Sequence, residues 1–277
     1  MKKIINFCPT GTQSTKLNSL APIFPSEIIE EVLAASAFGI TMVHLHARDS
    51  EGANTYKKEV YQTIIEGIKK HDPNLLICVS LSGRYFNEIN LRSEVLSVYP
   101  DLASLTMSSM NFPLSASIND PETICKLIEA MDIYGVHPEI ECFDAGMLNY
   151  TSYLQKKNIL TGNLFVNVIL GNLFNAGVEM SSIADIKRNF PENATVCFGG
   201  IGKVQLKANV LGLLEADGVR VGLEDNFYYT GKQLAHNLDL IKRIHRIAGE
   251  FDFEIMMPET LRSAGFGNSK QLQSSHS

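Results

Sequence analysis

The sequence predicts an α/β fold, a closed (β/α)8 TIM barrel in which each of eight parallel strands is followed by a helix. Three observations point to it. Eight short apolar runs alternate with eight longer segments of helical periodicity. The chain has 277 residues, enough for eight such units in one domain. The first run is followed by PTGTQST, which lacks the glycine spacing that opens a dinucleotide-binding sheet.

Taken in order, the first strand is expected at 4–8 (IINFC). The first helix, about 26–38, opens at Pro25-Ser26-Glu27, an N-cap signal with acids in the first turn. It stacks Ile28, Ile29, Val32, Leu33 and Ser36 on one stripe and keeps Glu27, Glu30 and Glu31 largely off it. Strands at 41–47 (TMVHLHA) and 75–81 (LLICVSL) lead into helices at about 57–70 and 91–98. The strand 102–106 (LASLT) precedes a helix over 120–134, where Asp120-Pro121-Glu122 puts proline at the first helical position. Strands at 137–143 (HPEIECF) and 164–170 (LFVNVIL) precede helices at 147–157 and 181–189. The last two strands, 195–199 (TVCFG) and 218–222 (GVRVG), precede helices at 203–216 and 231–249. No linker divides the chain, so residues 1–277 are expected to form one domain with a short C-terminal helix and a frayed tail from about 258, most tail-like in NSKQLQSSHS at 268–277.

Apolar residues make up 45% and charged residues 19%, which excludes disorder over most of the length. The net charge of -6 argues against a nucleic-acid partner, which requires a basic face. No run approaches the ~20 apolar residues of a membrane span. The opening MKKIINFCPTGTQST has no apolar core of signal-peptide length and reads as a first strand. The five cysteines are widely spaced and include no CxxC pair. Cys8, Cys78, Cys142 and Cys197 fall in four separate expected strands, as reduced, buried residues of a cytoplasmic protein would.

Active sites of such barrels lie at the C-terminal ends of the strands. His44 and His46 end the second strand at i and i+2, on one face, with Cα atoms ~6.6 Å apart. Two imidazoles so placed can converge on one metal ion, or can be hydrogen-bonded core histidines. Glu224 and Asp225 follow the eighth strand, which neighbours the first in a closed barrel, so Glu224 can reach the same metal. Two histidines and one carboxylate leave an open position for a substrate, as catalytic zinc requires. The Glu224-Asp225 pair can also be read as an N-cap for the last helix. Arg220, flanked by valines, should point inward and pair with Asp225 or Glu141, either to handle a proton or for structure alone.

The other strand ends are polar too. SLSGR (Ser80, Ser82, Gly83, Arg84) follows the third strand and SLTMSSMNF (Ser104, Thr106) the fourth, while Glu139 and Glu141 share a face of the fifth. Small hydroxyls at successive strand ends suit a small oxygenated ligand. FGGIGK, with Gly199, Gly200 and Gly202, opens a helix after the seventh strand, where backbone N–H groups can meet an anion of a cofactor or form a tight turn.

VHLHARD at 43–49, SLSGR at 80–84, PEIECFDAGM at 138–147, GGIG at 199–202 and RVGLEDN at 220–226 together resemble the β-keto acid cleavage enzymes, whose founding activity is 3-keto-5-aminohexanoate cleavage. The similarity runs from PTG at 9–11 to MPET at 257–260. It implies a barrel, usually a homotetramer, with one zinc (Zn2+) per subunit and acetyl-CoA as co-substrate. A β-keto acid and acetyl-CoA would give acetoacetate and a new acyl-CoA. His44, His46 and Glu224 match the zinc ligands, and Asp225 and Arg220 the pair assigned to proton abstraction. Ser80 and Ser104 fall where family members hold the substrate. Family members that take amino-substituted substrates resemble one another in an acidic residue after the first strand. This chain has Gln13 there, with Lys16 nearby and Arg84 after the third strand, so a neutral or acidic substrate tail is expected.

Two other readings use the same residues. Metal-dependent amidohydrolases also carry HxH, but on the first strand, with further histidines from the fifth and sixth. A non-catalytic, metal-dependent small-molecule-binding barrel is the other.

Overall fold

The computed structural model describes residues 1–12 and 18–274 of the chain. Among them, eight parallel strands close into a barrel: β1 (Lys2–Phe7), β2 (Met42–Leu45), β3 (Leu76–Val79), β4 (Leu102–Thr106), β5 (His137–Cys142), β6 (Leu164–Leu170), β7 (Ala194–Gly200) and β8 (Gly218–Val221). The ring shuts where β8 returns to β1, with Ile4 opposite Gly218 and Phe7 opposite Val221. Around it lie α1 (Pro25–Phe38), α2 (Lys58–Lys69), α3 (Ile89–Ser93), α4 (Pro121–Tyr134), α5 (Ala145–Lys156), α6 (Met180–Arg188), α7 (Gln205–Glu215) and α8 (Asn237–Glu250).

Local chemistry explains the helix starts. The Glu27 carboxylate accepts the N–H groups of Ile23 (3.0 Å) and Phe24 (3.1 Å), so an acid in the first turn satisfies donors the helix cannot. Asp120 and Asp144 cap α4 and α5, accepting from the N–H groups of Thr123 (2.9 Å) and Met147 (3.1 Å).

Three expectations need correction. The helix expected at 91–98 is α3 followed by a 3-10 turn, Glu94–Val98, which ends on Tyr99 at a left-handed φ of 53°. The helix expected from 231 starts at Asn237, because the preceding chain forms a hairpin of Tyr228–Thr230 against Gln233–Leu234. That hairpin turns at Gly231, whose φ of 55° suits glycine. The tail expected to fray is docked at its start. Beyond α9 (Pro258–Ser263), Phe266 is buried and the Asn268 side chain donates to the carbonyls of Pro100 (3.0 Å) and Tyr134 (3.2 Å). A short helix, Ser269–Ser274, follows.

One large apolar core fills the space between strands and helices. A smaller one plugs the lower interior of the barrel: Ile4, Met42, Leu76, Leu102 and Phe165, with Cys78 and Cys197, are closed off by Leu261 and Phe266. The lower end also holds Asp101, which accepts from the Ile77 N–H (3.0 Å), Lys69 Nζ (3.0 Å) and Arg262 Nη1 (2.7 Å). Cys8, Cys78, Cys142 and Cys197 are buried free thiols. Above this plug the interior turns polar, with Asn6, His44, Glu139, Asn167 and Arg220 all buried.

Candidate active site

His44 lies within β2 and His46 one residue beyond its end; His46 lines the cavity at the barrel mouth, and His44 is buried directly against it. His44 Nδ1 meets Glu139 Oε2 at 2.5 Å. Glu139 also accepts from Asn6 Nδ2 (2.6 Å), Asn167 Nδ2 (2.8 Å) and Cys78 Sγ (2.9 Å). Burial alone would raise this carboxyl, but His44's charge and hydrogen bond, with Arg220 and Cys78, hold it at about 2. Burial likewise disfavours a charged His44, yet Glu139 and Glu224 lift it to about 9. Burial keeps His46 below its ordinary value despite Glu224, so its ring is neutral and ready to donate a lone pair.

His44 Nε2 and His46 Nε2 are 3.4 Å apart. Glu224 Oε1 is 3.2 Å from the second and 3.9 Å from the first. One ligand atom from each of the three residues lies within 4.8 Å of the others. The Glu224 Oε2 atom is buried without a hydrogen-bond partner, an orphan that a cation would satisfy. These residues therefore fit a divalent metal. Glu139 would orient His44 from behind, the carboxylate–histidine arrangement that fixes a ligand's tautomer. The expected metal set was these same three residues, and it gave Glu139 no role. Its signal was the unusual polar content of apolar strands, Asn6 in IINFC and Asn167 in LFVNVIL.

Arg220 is 1% exposed and, among the described residues, bonds three carboxylates. Its Nε donates to Asp225 Oδ2 (2.9 Å), Nη1 to Glu141 Oε1 (2.9 Å) and Nη2 to Glu224 Oε1 (2.7 Å). These carboxylates outweigh burial and hold the guanidinium firmly charged. Asp225 is pushed up instead, by burial and then by its neighbours Glu224 and Glu141 against the pull of Arg220. A raised, hydrogen-bonded carboxyl at a cavity wall suits proton transfer. Asp225 and Glu224 do not cap the last helix, which begins at Asn237.

The cavity has a volume of about 360 Å³. Ser80, Ser82, Arg84, Thr106 and Glu141 line it, and Phe112, Phe143, Ile169 and Ile201 add apolar wall. Thr106 Oγ1 donates to Glu141 Oε2 at 2.9 Å. Ser104 is displaced from the expected role: it lies below the cavity and accepts the Leu81 N–H at 3.1 Å. Gly83 also stands back, since a Cβ there would meet the Ile118 carbonyl oxygen at 2.6 Å and Arg92 Nη1 at 2.8 Å. Gln13 and Lys16 lie outside the described residues.

The three glycines expected at a cofactor anion do not line the cavity. A Cβ on Gly199 would press on the Arg220 Cβ at 3.1 Å, so this glycine makes room for the arginine. Gly200 gives the same clearance to α7, where a Cβ would come within 2.8 Å of Ala208. The Gly202 N–H is already given to the Asp225 carbonyl at 2.7 Å, which ties the turn to the base.

The arrangement can hold a divalent cation, move a proton at Asp225 and bind an oxygenated substrate between hydroxyls and apolar wall. HxH lies on β2, beside a glutamate from the β8 loop, unlike the amidohydrolase pattern.

A family model described as beta-keto acid cleavage enzyme matches residues 2–264. A 3-keto-5-aminohexanoate cleavage enzyme of Fusobacterium nucleatum is 30% identical over 94% of this chain and 96% of its own length. A 3-oxoadipate:acetyl-CoA acetyltransferase of Cupriavidus necator is 32% identical over 90% of this chain and 89% of its own. Among solved structures, ObcA in complex with oxaloacetate superposes with a TM-score of 0.78 at 19% identity, covering 90% of this chain and 68% of ObcA, a likeness of fold.

Proposed function

The chain belongs to the β-keto acid cleavage enzyme family, and from that premise we propose that it is a zinc-dependent enzyme that converts a β-keto acid and acetyl-CoA into acetoacetate and a new acyl-CoA. Similar proteins support the class of co-substrate, since three of them are named for acetyl-CoA. Those relatives and the aminohexanoate enzymes are named for 3-oxo acids that differ at the far end, so the shared chemistry belongs to the keto acid's head.

The observation that carries the reading is the Arg220 hub, which joins the candidate metal ligand Glu224 to the candidate base Asp225 in one buried contact set. His44, His46 and Glu224 would hold the zinc. When bound there, it supplies Lewis-acid polarisation of a substrate oxygen. Ser80 orients the acid group in the cavity. Asp225, steadied by Arg220, takes a proton from the carbon between the keto and carboxyl groups. With that proton held, the substrate carbon attacks the thioester carbonyl and CoA thiolate leaves. The thiolate re-enters at the substrate's keto carbonyl and the carbon–carbon bond breaks, and Asp225 returns its proton to acetoacetate. Glu141, bridged to Arg220 and Thr106, keeps the guanidinium turned toward the base.

The reading includes a homotetramer in the cytoplasm. No described helix is long and apolar enough to cross a membrane, and Leu114 (96% exposed) and Leu173 (78%) stand at the cavity mouth, where a neighbouring subunit would cover them. The test is direct. Purified protein with acetyl-CoA and a panel of β-keto acids should form acetoacetate and acyl-CoA together and carry about one zinc per chain. Metal-loaded protein that transfers CoA from acetyl-CoA to none of them would sink the reading.

A further inference from the structure

We propose that Arg84 is a receptor for a second carboxylate, so that the substrate class is a dicarboxylic β-keto acid. This rests on the reading of the cavity as a β-keto acid site and names the far end of that substrate. Arg84 lies in the loop after β3 and lines the cavity. Thr12, from the loop after β1, takes one of its donors: Nη1 reaches the threonine hydroxyl at 2.6 Å. The guanidinium lies over Phe112, its Cζ 3.6 Å from the ring centroid, a contact that helps hold it in place. Its Nε is buried with no hydrogen-bond partner. Among the described residues no carboxylate forms an ion pair with it.

The contrast with Arg220 in the same cavity is the core of the inference. Arg220 has all three of its nitrogens on carboxylates. Arg84 is held by the Thr12 hydroxyl and the Phe112 ring and keeps an unmet donor at Nε. A buried guanidinium with an unused N–H is costly unless something in the cavity accepts from it. The planar fork matches a carboxylate in two parallel hydrogen bonds. The reacting head of the keto acid already has its own partners, the metal set and the hydroxyl of Ser80. The spare fork is therefore left for the other end of the molecule. Phe112 and Phe143 offer apolar wall for the short chain between the two ends. An ammonium tail would meet a fixed positive charge, and a purely apolar tail would leave the Arg84 Nε unmet.

The test has two arms. In calorimetry, glutarate and adipate should bind the zinc-loaded protein, and Arg84→Gln should weaken them ~10–100-fold, the loss expected for a charge-assisted hydrogen bond pair. Arg84→Lys, which keeps charge and loses the fork, should fall between. This arm reads out even where no turnover occurs, so its failure is distinct from failure of the cleavage assignment. In turnover, the ratio of kcat/KM for a dicarboxylic over a monocarboxylic β-keto acid should fall by a similar factor in Arg84→Gln. Equal losses for both acids would place Arg84 on the common head and overturn the proposal. So would a higher KM for acetyl-CoA with unchanged selectivity, or a wild-type preference for amino-substituted or monocarboxylic substrates.

Discussion

The two ends of the barrel bury charge in opposite ways. At the lower end Asp101 sits beneath the strands with every demand met, by Lys69, Arg262 and the Ile77 N–H. Burial raises its pKa, but these partners more than offset that, and it ends below its ordinary value. Leu261 and Phe266 seal that end. At the mouth the charges are more numerous and less well served. Glu224 keeps an orphan oxygen, Arg84 an orphan nitrogen, and Asp225 is raised by burial and then by its carboxylate neighbours. A satisfied ion cluster holds chain segments together. An unsatisfied one is held ready for a ligand, and the rest of the fold must supply the stability.

Substitutions at the two ends should therefore separate function from stability. The largest effect is expected at His46→Ala, which should remove bound zinc and abolish turnover while leaving the thermal midpoint of the metal-free protein unchanged. Elemental analysis and a melting curve check both halves, and a large drop in midpoint would erase the contrast. Asp225→Asn should lower kcat ~10²–10⁴-fold, the usual share of a positioned base, with zinc content normal. If turnover survives, the pair is structural and Glu141 is the next base to test.

Asp101→Asn should do the reverse, costing about 3 kcal/mol of unfolding free energy through two stranded cations while kcat holds. The sign with pH follows from the depressed folded value. Asp101's contribution is complete above the ~3.9 of a free aspartate and fades as pH falls through its lower folded pKa. Urea titrations at pH 7 and pH 3 should thus show the gap between wild type and variant narrowing in acid. The smallest effect sharpens the comparison within the mouth: Glu139→Gln should weaken zinc binding ~10–100-fold by loosening His44, without removing a ligand. A competitive chelator titration measures it.

The barrel was legible because each strand is an apolar run closed by a turn, and the clustering of His44, His46 and Glu224 because all three stand at strand ends. Depth was not legible. In β4 and β5, Ser104 pairs with Glu139 and Thr106 with Glu141. The upper pair touches the cavity, while the lower pair sits one side-chain layer down, where Glu139 supports His44 and Ser104 anchors the loop after β3 at Leu81. That one-layer difference depends on the stagger of the closed ring, which no single strand's sequence carries. The Tyr228–Leu234 hairpin and the docked Asn268 were hidden for a related reason. Asn268 is held by residues more than a hundred positions away, and the hairpin's turn is set by the geometry of one glycine.

Arg220's three partners carry a consequence for how this enzyme can diversify. Glu224, Asp225 and Glu141 all hang on one guanidinium, so the effects of their substitutions on turnover should be strongly non-additive. Arg84, Thr12 and Phe112 come instead from the loops after β3, β1 and β4. A lineage can rewrite those loops residue by residue, trading one substrate tail for another, while the chemistry is inherited as an indivisible block.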